Sequence, residues 1–287
     1  WKIVKTRWID INTGDWENPN FRSRFVAKEF NDGAGEGLFA STPPPLEALR
    51  YLLSEVATVD AYQAQPLGGE PSEEEKVLMI NDVARAFFEA PVKRNLCVEL
   101  PPEEGARPDE VGWLKQSLYG TRDASANFQE EVRVVLTRAG FVQVKYNPSL
   151  YYHPGRHIRT LVHGDDFSSV GTSREMKWLK RTLEARFEIS TKVVGTGVGM
   201  VKEARLLNRV IRRTDDGWEY EADQRHAELI VKGLGLEEAK TVATPAEGER
   251  PWLAEEDEEK LSSQDAREFR GLAARANYLA QDRPDIQ

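Results

Sequence analysis

Three acids carry the chemistry that this sequence could perform. Asp82 ends the apolar run Val77-Leu78-Met79-Ile80-Asn81, and Asp165 and Asp166 stand side by side after the apolar stretch Ile158 to Val162. Carboxylates at strand ends are hard oxygen ligands, the kind magnesium takes while keeping waters and substrate phosphates in its shell. Two such ions roughly 3.5–4 Å apart stabilise both the attacking and the leaving oxygen of an in-line displacement. Neighbouring strand residues point to opposite faces, so only one of Asp165 and Asp166 can face Asp82 squarely and the other must reach from the turn. A second pair, Asp215-Asp216-Gly217, follows Arg212-Arg213-Thr214 and reads as a plain hairpin turn.

The elements around these acids follow from periodicity. Lys2 to Lys5 and Arg22 to Lys28 alternate as strands do, with the turn-rich Asn12-Thr13-Gly14-Asp15 between them, which predicts an antiparallel pair. Behind a glycine-rich stretch, Gly33 to Gly37, and the prolines Pro43 to Pro45, a helix is expected from Leu46 to Val56, its apolar face made by Leu49, Leu52, Leu53 and Val56. The run Val77 to Ile80 is short enough for a buried strand. Ala124 to Gly140 reads as an amphipathic helix that Gly140 stops. Strands are expected at Leu150 to Tyr152, Ile158 to Val162 and Phe167 to Val170. A helix capped by Ser173 then carries Met176, Leu179, Leu183 and Phe187. The order strand, helix, strand, strand, helix, strand is that of a split βαβ, an α+β architecture. Beyond it come strands at Glu188 to Val194 and Leu206 to Thr214, a helix capped by Asp223 that carries Ala227, Ile230, Val231 and Leu234, and a last helix from Gln264 to Ala280.

Composition narrows the classes without choosing one. The 287 residues suffice for two subdomains, and no apolar run of about 18 residues is present to span a membrane. Trp1-Lys2-Ile3-Val4-Lys5 lacks the features of a signal peptide, and the absence of an initiating Met reads as a fragment of something longer. The single cysteine, Cys97, excludes an internal disulfide framework, and His153, His157, His163 and His226 have no zinc-site spacing. The net charge of −9 runs against a nucleic-acid partner, but nine acids, Glu70, Glu73 to Glu75 and Glu255 to Glu259 with Asp257, equal the whole excess of 48 acids over 39 bases. The rest is balanced, with basic stretches at Lys2, Lys5, Arg7, Arg22, Arg24 and Lys28 and again from Lys202 to Arg213.

Several blocks, in order, resemble the reverse transcriptase of copia-type retrotransposons. They are Arg24-Phe25-Val26-Ala27-Lys28, Ile80-Asn81-Asp82 through Phe88, Leu114-Lys115-Gln116-Ser117-Leu118-Tyr119-Gly120 with Phe128, Asn147-Pro148-Ser149-Leu150-Tyr151, Thr244-Pro245, and Tyr278-Leu279-Ala280 with Arg283-Pro284-Asp285-Ile286. The resemblance covers essentially the whole chain. It implies a right-hand polymerase with fingers over about 1–75, a palm over about 76–195 and a thumb- or connection-like region over 196–287. It implies an RNA-directed DNA polymerase that uses two Mg²⁺ ions, with Mn²⁺ as the alternative, held by Asp82, Asp165 and Asp166. One ion would activate the primer 3′-hydroxyl and the other would bind the triphosphate and leaving pyrophosphate. Arg24 and Lys28 would contact the incoming deoxynucleoside triphosphate, Tyr119 and Gly120 would lie against it, and Phe87 would be the ring that leaves no room for a 2′-hydroxyl. Partners implied are an RNA template, a DNA primer or hybrid duplex and the other domains of a Pol polyprotein, in a cytoplasmic virus-like particle.

The sequence departs from the family in places. His163-Gly164-Asp165-Asp166 stands where Tyr-Val-Asp-Asp is usual, and Asn81 replaces an apolar residue. Gly195-Thr196-Gly197-Val198-Gly199 falls where the primer-gripping hairpin begins, and it is no P-loop because no Gly-Lys-Ser/Thr follows. These departures leave two alternatives open: a catalytically degenerate remnant that folds and binds nucleic acid, and an RNA polymerase, which also carries Gly-Asp-Asp but for which Phe87 is unsuited.

Overall fold

The computed structural model describes residues 1–30, 44–58, 75–107, 109–242 and 261–286. The glycine-rich stretch Gly33 to Gly37, most of the acidic loop residues and Thr244-Pro245 lie outside these residues. The chain divides into two compact units, Trp1–Val201 and Lys202–Gln287.

The first unit is built on a six-stranded sheet in the order β11-β4-β10-β9-β8-β7, formed by β4 (Lys76–Val83), β7 (Val142–Gln143), β8 (Leu150–His153), β9 (Ile158–His163), β10 (Asp166–Thr172) and β11 (Ile189–Val194). All its pairs are antiparallel. Helix α2 (Ala124–Arg138) links β4 to the β7 side, and α3 (Ser173–Glu184) links β10 to β11. Strands β11, β4, β10 and β9 with these two helices are the split βαβ expected from the element order, and the β7–β8 hairpin extends it at one edge.

Alternation along β4 explains why it can be buried on both faces. Val77, Met79 and Val83 join Phe167 against Phe128, Val132, Leu136, Met176, Leu179 and Leu183, so α2 and α3 cover one face. Each such fully buried side chain contributes about 1.5–3 kcal/mol of hydrophobic stabilisation. Asn81 sits on this covered face, fully buried, and its amide donates to Thr191 Oγ1 at 2.9 Å on the adjoining strand β11. That bond satisfies the side-chain nitrogen, while among the described residues the Asn81 Oδ1 is buried with no hydrogen-bond partner. The opposite face is covered by α1 (Leu46–Ala57), whose Ala48, Leu49, Leu52 and Val56 are buried. Lys76 Nζ donates to the carbonyls of Glu55 at 3.2 Å and Thr58 at 3.0 Å, and Arg159 pairs with Glu55 at 3.0 Å. These bonds fasten α1 toward the Lys76 end of the strands, away from Asp82.

The segment Arg22 to Lys28 does enter an antiparallel pair, as β3 (Phe21–Ala27), but its partner is β2 (Thr6–Asn12) and not the expected Lys2 to Lys5. The first alternating residues belong elsewhere: β1 (Lys2–Val4) runs parallel to β5 (Leu96–Glu99), which also pairs β6 (Val111–Trp113). A strand can follow a sequence neighbour or a distant partner with the same local pattern, so alternation alone did not decide this pairing. The cap of α3 is Thr172, whose Oγ1 accepts from the Glu175 amide, with Ser173 the first helical residue.

In the second unit β12 (Glu203–Leu206), β13 (Arg209–Thr214) and β14 (Gly217–Glu221) form a three-stranded antiparallel sheet. The strand expected over Leu206 to Thr214 is broken by a tight turn in which Leu207 and Asn208 take φ of 49° and 66°. Asp223 caps α4 (Gln224–Gly233) through the Arg225 amide, as expected, yet no residue of α4 is buried. Helix α5 (Ser263–Ala280) closes the unit, tied to β13 by Arg209 and Asp282 at 2.7 Å, and Asp282 also accepts from the Tyr220 hydroxyl at 2.6 Å. Among the described residues no helix is long and apolar enough to cross a membrane.

Candidate active site

The register of the central sheet decides which acids meet. Asp166, the first residue of β10, lies directly opposite Asp82 of β4 on one side and His163 of β9 on the other. Ser190 of β11 lies opposite Asp82, so Ser190, Asp82, Asp166 and His163 form one row across four strands. Cross-strand partners share a face, and this face is the one not covered by α2 and α3. Between His163 and Asp166 only Gly164 and Asp165 remain, a two-residue hairpin loop in which Gly164 takes φ of +63°. A positive φ at the first loop residue only is the pattern of a type II′ turn, which favours glycine there. Asp165 therefore stands in the turn itself. Its carbonyl accepts from the Val83 amide at 3.0 Å, which fixes the turn against the end of β4.

The electrostatics reflect this crowding. Asp82 and Asp165 are exposed and Asp166 is half-buried. Burial first, then the charges of Asp165 and Asp82, push the Asp166 carboxyl up to about 6. Burial depresses His163, and Asp165 opposes that shift. Among the described residues no group of three His, Cys, Asp or Glu side chains converges closely enough to hold a metal ion unaided. Magnesium is ordinarily bound by one or two carboxylates together with substrate phosphates and water rather than by an all-protein cage. Three hard oxygen donors at the end of neighbouring strands fit such an ion, with Asp82 and Asp166 facing each other in register and Asp165 in the adjoining turn.

Two further segments border the acids. Past Asp82 the chain reverses at Arg85, a non-glycine residue at φ of 53°, and enters a short 3₁₀ turn, Ala86–Glu89. Such backbone strain costs about 1–3 kcal/mol and persists where surrounding contacts impose it. The turn brings Phe87 against Tyr119 at 4.5 Å between ring centroids and Phe128 at 6.4 Å. Phe87 is thus packed against the core as well as beside Tyr119. Burial raises the Tyr119 hydroxyl, Asp165 raises it further, and Arg24 and Arg22 oppose them. Tyr119 consequently lies within the electrostatic reach of both an acid of the hairpin and two cations of β3, and the Arg24 guanidinium sits 5.9 Å from its ring centre.

Alternation and register gather the cations of the first ribbon. Arg22, Arg24, Val26 and Lys28 share one face with Lys5, Arg7, Ile9 and Ile11, while Trp8 and Phe25 pair on the other at 5.2 Å. The basic face carries Lys5, Arg7, Arg22, Arg24 and Lys28 and no acid. Gly120 also has a defined role. At φ of +87° its Cβ would stand 2.0 Å from the Ala27 carbonyl oxygen, so the close approach it permits is to the backbone of β3. The Ala27 amide donates to the Tyr119 carbonyl at 2.7 Å and the Glu29 amide to the Gly120 carbonyl at 3.2 Å.

Sequence reasoning passed over Glu29, Arg94 and Asp123. Arg94 donates to both Glu29 carboxylate oxygens, at 2.9 and 2.8 Å, and to Asp123 at 2.5 Å. Glu29 follows Lys28 directly and Asp123 stands just before α2, but nothing in their spacing announces that they share one arginine.

Comparisons with known proteins bear on the family of the chain. The sequence profile of the family described as reverse transcriptase (RNA-dependent DNA polymerase) matches residues 1–247. Two curated relatives from Arabidopsis thaliana, the retrovirus-related Pol polyproteins from transposons RE2 and RE1, are 27% identical over 296 residues and 26% identical over 307 residues. Each alignment covers 99% of this chain, which spans 18% of the length of either polyprotein. Among solved structures, the foamy viral protease-reverse transcriptase in complex with double-stranded DNA aligns with 96% of this chain and 36% of its own, at 13% identity and a TM-score of 0.47. With the profile spanning most of its length, the chain belongs to the reverse transcriptase (RNA-dependent DNA polymerase) family, in keeping with the copia-type blocks that its sequence resembles.

Proposed function

We propose that this chain is the RNA-directed DNA polymerase portion of a copia-type retrotransposon polyprotein, with fingers over about 1–75, palm over 76–195 and a thumb- or connection-like region over 196–287. The observation that carries the reading is the pairing of Asp82 with Asp166 across two central strands, with Asp165 in the adjoining turn. Asp82, Asp165 and Asp166 would hold Mg²⁺, or Mn²⁺ in its place. When bound, the ions neutralise charge on the attacking and leaving oxygens of nucleotidyl transfer. Arg24 and Lys28, on the acid-free basic face, would offset the negative charge of a deoxynucleoside triphosphate. Tyr119 would lie against the nucleotide, held through Gly120, and Phe87 beside it would exclude a ribose 2′-hydroxyl. The same basic face suits the backbone of an RNA template or hybrid duplex, binding that salt would weaken. Primer extension on an RNA template with magnesium, for wild type and Asp165→Asn, tests the reading; equal extension by both overturns it.

A second reading is favoured by His163-Gly164, where the family has Tyr-Val: a chain that folds and binds nucleic acid without extending a primer. A salt-dependent gel shift with no extension by wild type is its signature.

A further inference from the structure

The residues proposed to bind the nucleotide come from two segments far apart in sequence, β3 and the Tyr119-Gly120 turn. Among the described residues, their backbones meet through two hydrogen bonds, from the Ala27 and Glu29 amides. Each such bond contributes about 1 kcal/mol net, and Ala27 and Leu118 also share a buried apolar cluster, but that packing is non-directional and does not set the orientation of strand against turn. Directly behind this junction lies a charge cluster with no part in the chemistry described above.

Glu29 has a side chain 1% exposed and Asp123 one that is 3% exposed. Glu29 takes a bidentate pair from Arg94, a bond from the Arg122 amide at 2.9 Å and an ion pair from Lys2 at 3.1 Å. Asp123 takes the second bond of Arg94 Nη2 and one from Asn127 at 3.1 Å, and Asn127 also donates to Ser117 Oγ at 3.1 Å. The hydrogen bond from Arg94 leads the causes that hold the Glu29 carboxyl down to about 2, so the cluster is fully charged near neutrality. Planar bidentate pairing fixes direction as well as distance. Glu29 lies two residues past the end of β3, next to Lys28, and Asp123 follows Gly120 by three residues at the entry to α2. One guanidinium therefore clamps the two segments whose backbones meet at Ala27 and Gly120.

We propose that Glu29, Arg94 and Asp123 are positioning residues that set the spacing between Arg24 and Lys28 on one side and Tyr119 on the other, and through it the affinity for the incoming deoxynucleoside triphosphate. The inference rests on the polymerase reading. Loosening the clamp removes nucleotide binding common to ground and transition states, which raises KM and spares kcat.

The experiment is steady-state primer extension by the full chain for wild type, Arg94→Met, Arg94→Lys and Glu29→Gln, alongside amide hydrogen exchange. Arg94→Met is expected to raise KM for the deoxynucleotide by about tenfold with kcat within about threefold, since small misplacements of binding groups are costly. Arg94→Lys, which keeps the charge but not the fork, falls between it and wild type. Exchange at the Ala27 and Glu29 amides should quicken in both, with the Val83 and Val162 amides unchanged. Should Arg94→Met fail to fold, Arg94→Lys and Glu29→Gln carry the test. Wild-type KM in the folded variants, or a fall in kcat with KM unmoved, overturns the proposal. A wild-type chain that extends no primer counts against the polymerase reading alone. Exchange then decides the clamp: unchanged rates at Ala27 and Glu29 overturn it, and faster rates support it.

Discussion

The chain contains two hairpins with adjacent aspartates, and they differ in almost everything except sequence. Asp215 and Asp216 form the two-residue loop between Thr214 and Gly217, both exposed, at one end of a three-stranded sheet. Asp165 and Asp166 join β9 to β10 in the middle of a six-stranded sheet, and Asp166 is already inside the strand, paired with Asp82. The glycine precedes the acids in one hairpin and follows them in the other. That offset moves the second acid from the loop into the ladder, where a third acid waits opposite. Two carboxylates in water repel weakly; here the burial of Asp166 first, and then the charges of Asp165 and Asp82, push its carboxyl up to about 6. The strand next door sets the surroundings of an acid pair.

The largest effect should come from removing charge. Asp82→Asn or Asp165→Asn is expected to reduce primer extension by about a thousandfold, while Asp216→Asn stays within about twofold of wild type. A comparable loss for Asp216→Asn would erase the distinction between the hairpins.

Backbone conformation separates them next. Gly164 at φ of +63° and Gly217 at +144° both have open space where a Cβ would go, so conformation rather than crowding sets the cost of a side chain. Gly164→Val and Gly217→Ala should each lower stability in urea by about 1–3 kcal/mol. Only Gly164→Val should also depress primer extension beyond the loss of folded protein, because that turn carries Asp165.

Proton linkage gives a smaller effect, at Asp166. The folded pKa of Asp166 lies above its unfolded value of about 3.9, so the fold favours the protonated form. The associated stability is fully present below about pH 4 and is lost as pH rises through about 6. In chelator, Asp166→Asn should therefore gain about 1–2 kcal/mol over wild type between pH 4 and pH 7.5, a figure reduced for the partial exposure of the carboxyl. Parallel pH profiles of urea midpoints for the two proteins would contradict the crowding of the three acids. The smallest change is expected for Asp215→Asn, within about 0.5 kcal/mol at either pH, as for surface substitutions away from special contacts.

Local pattern went a long way in the central sheet and less far beyond it. The runs Val77 to Asn81, Ile158 to Val162 and Phe167 to Val170 became β4, β9 and β10 because short apolar segments with acids at their ends have few other stable fates. The helix expected over Leu46 to Val56 extends one residue further, to Ala57. Periodicity failed where two partners offered the same alternation, as when Lys2–Val4 joined Leu96–Glu99 in parallel. It failed again at Leu207-Asn208, where the chain turns without the glycine or proline that usually announces it. The apolar face of α4 was legible, but amphipathicity states only what a helix can bury, and Val231 and Leu234 remain exposed.

Residue type and order by themselves determined the α+β class and the split βαβ core and singled out three candidate acids, because strand and helix periods are local and a carboxylate's chemistry travels with it. Tertiary structure alone decided that Asp166 rather than Asp165 faces Asp82, that five cations share the face of a ribbon on which no acid stands, and that Arg94 joins Glu29 to Asp123. Register, face and shared partners arise from pairing between segments tens of residues apart, and a one-residue slip in any of them would leave each local pattern intact while undoing the site.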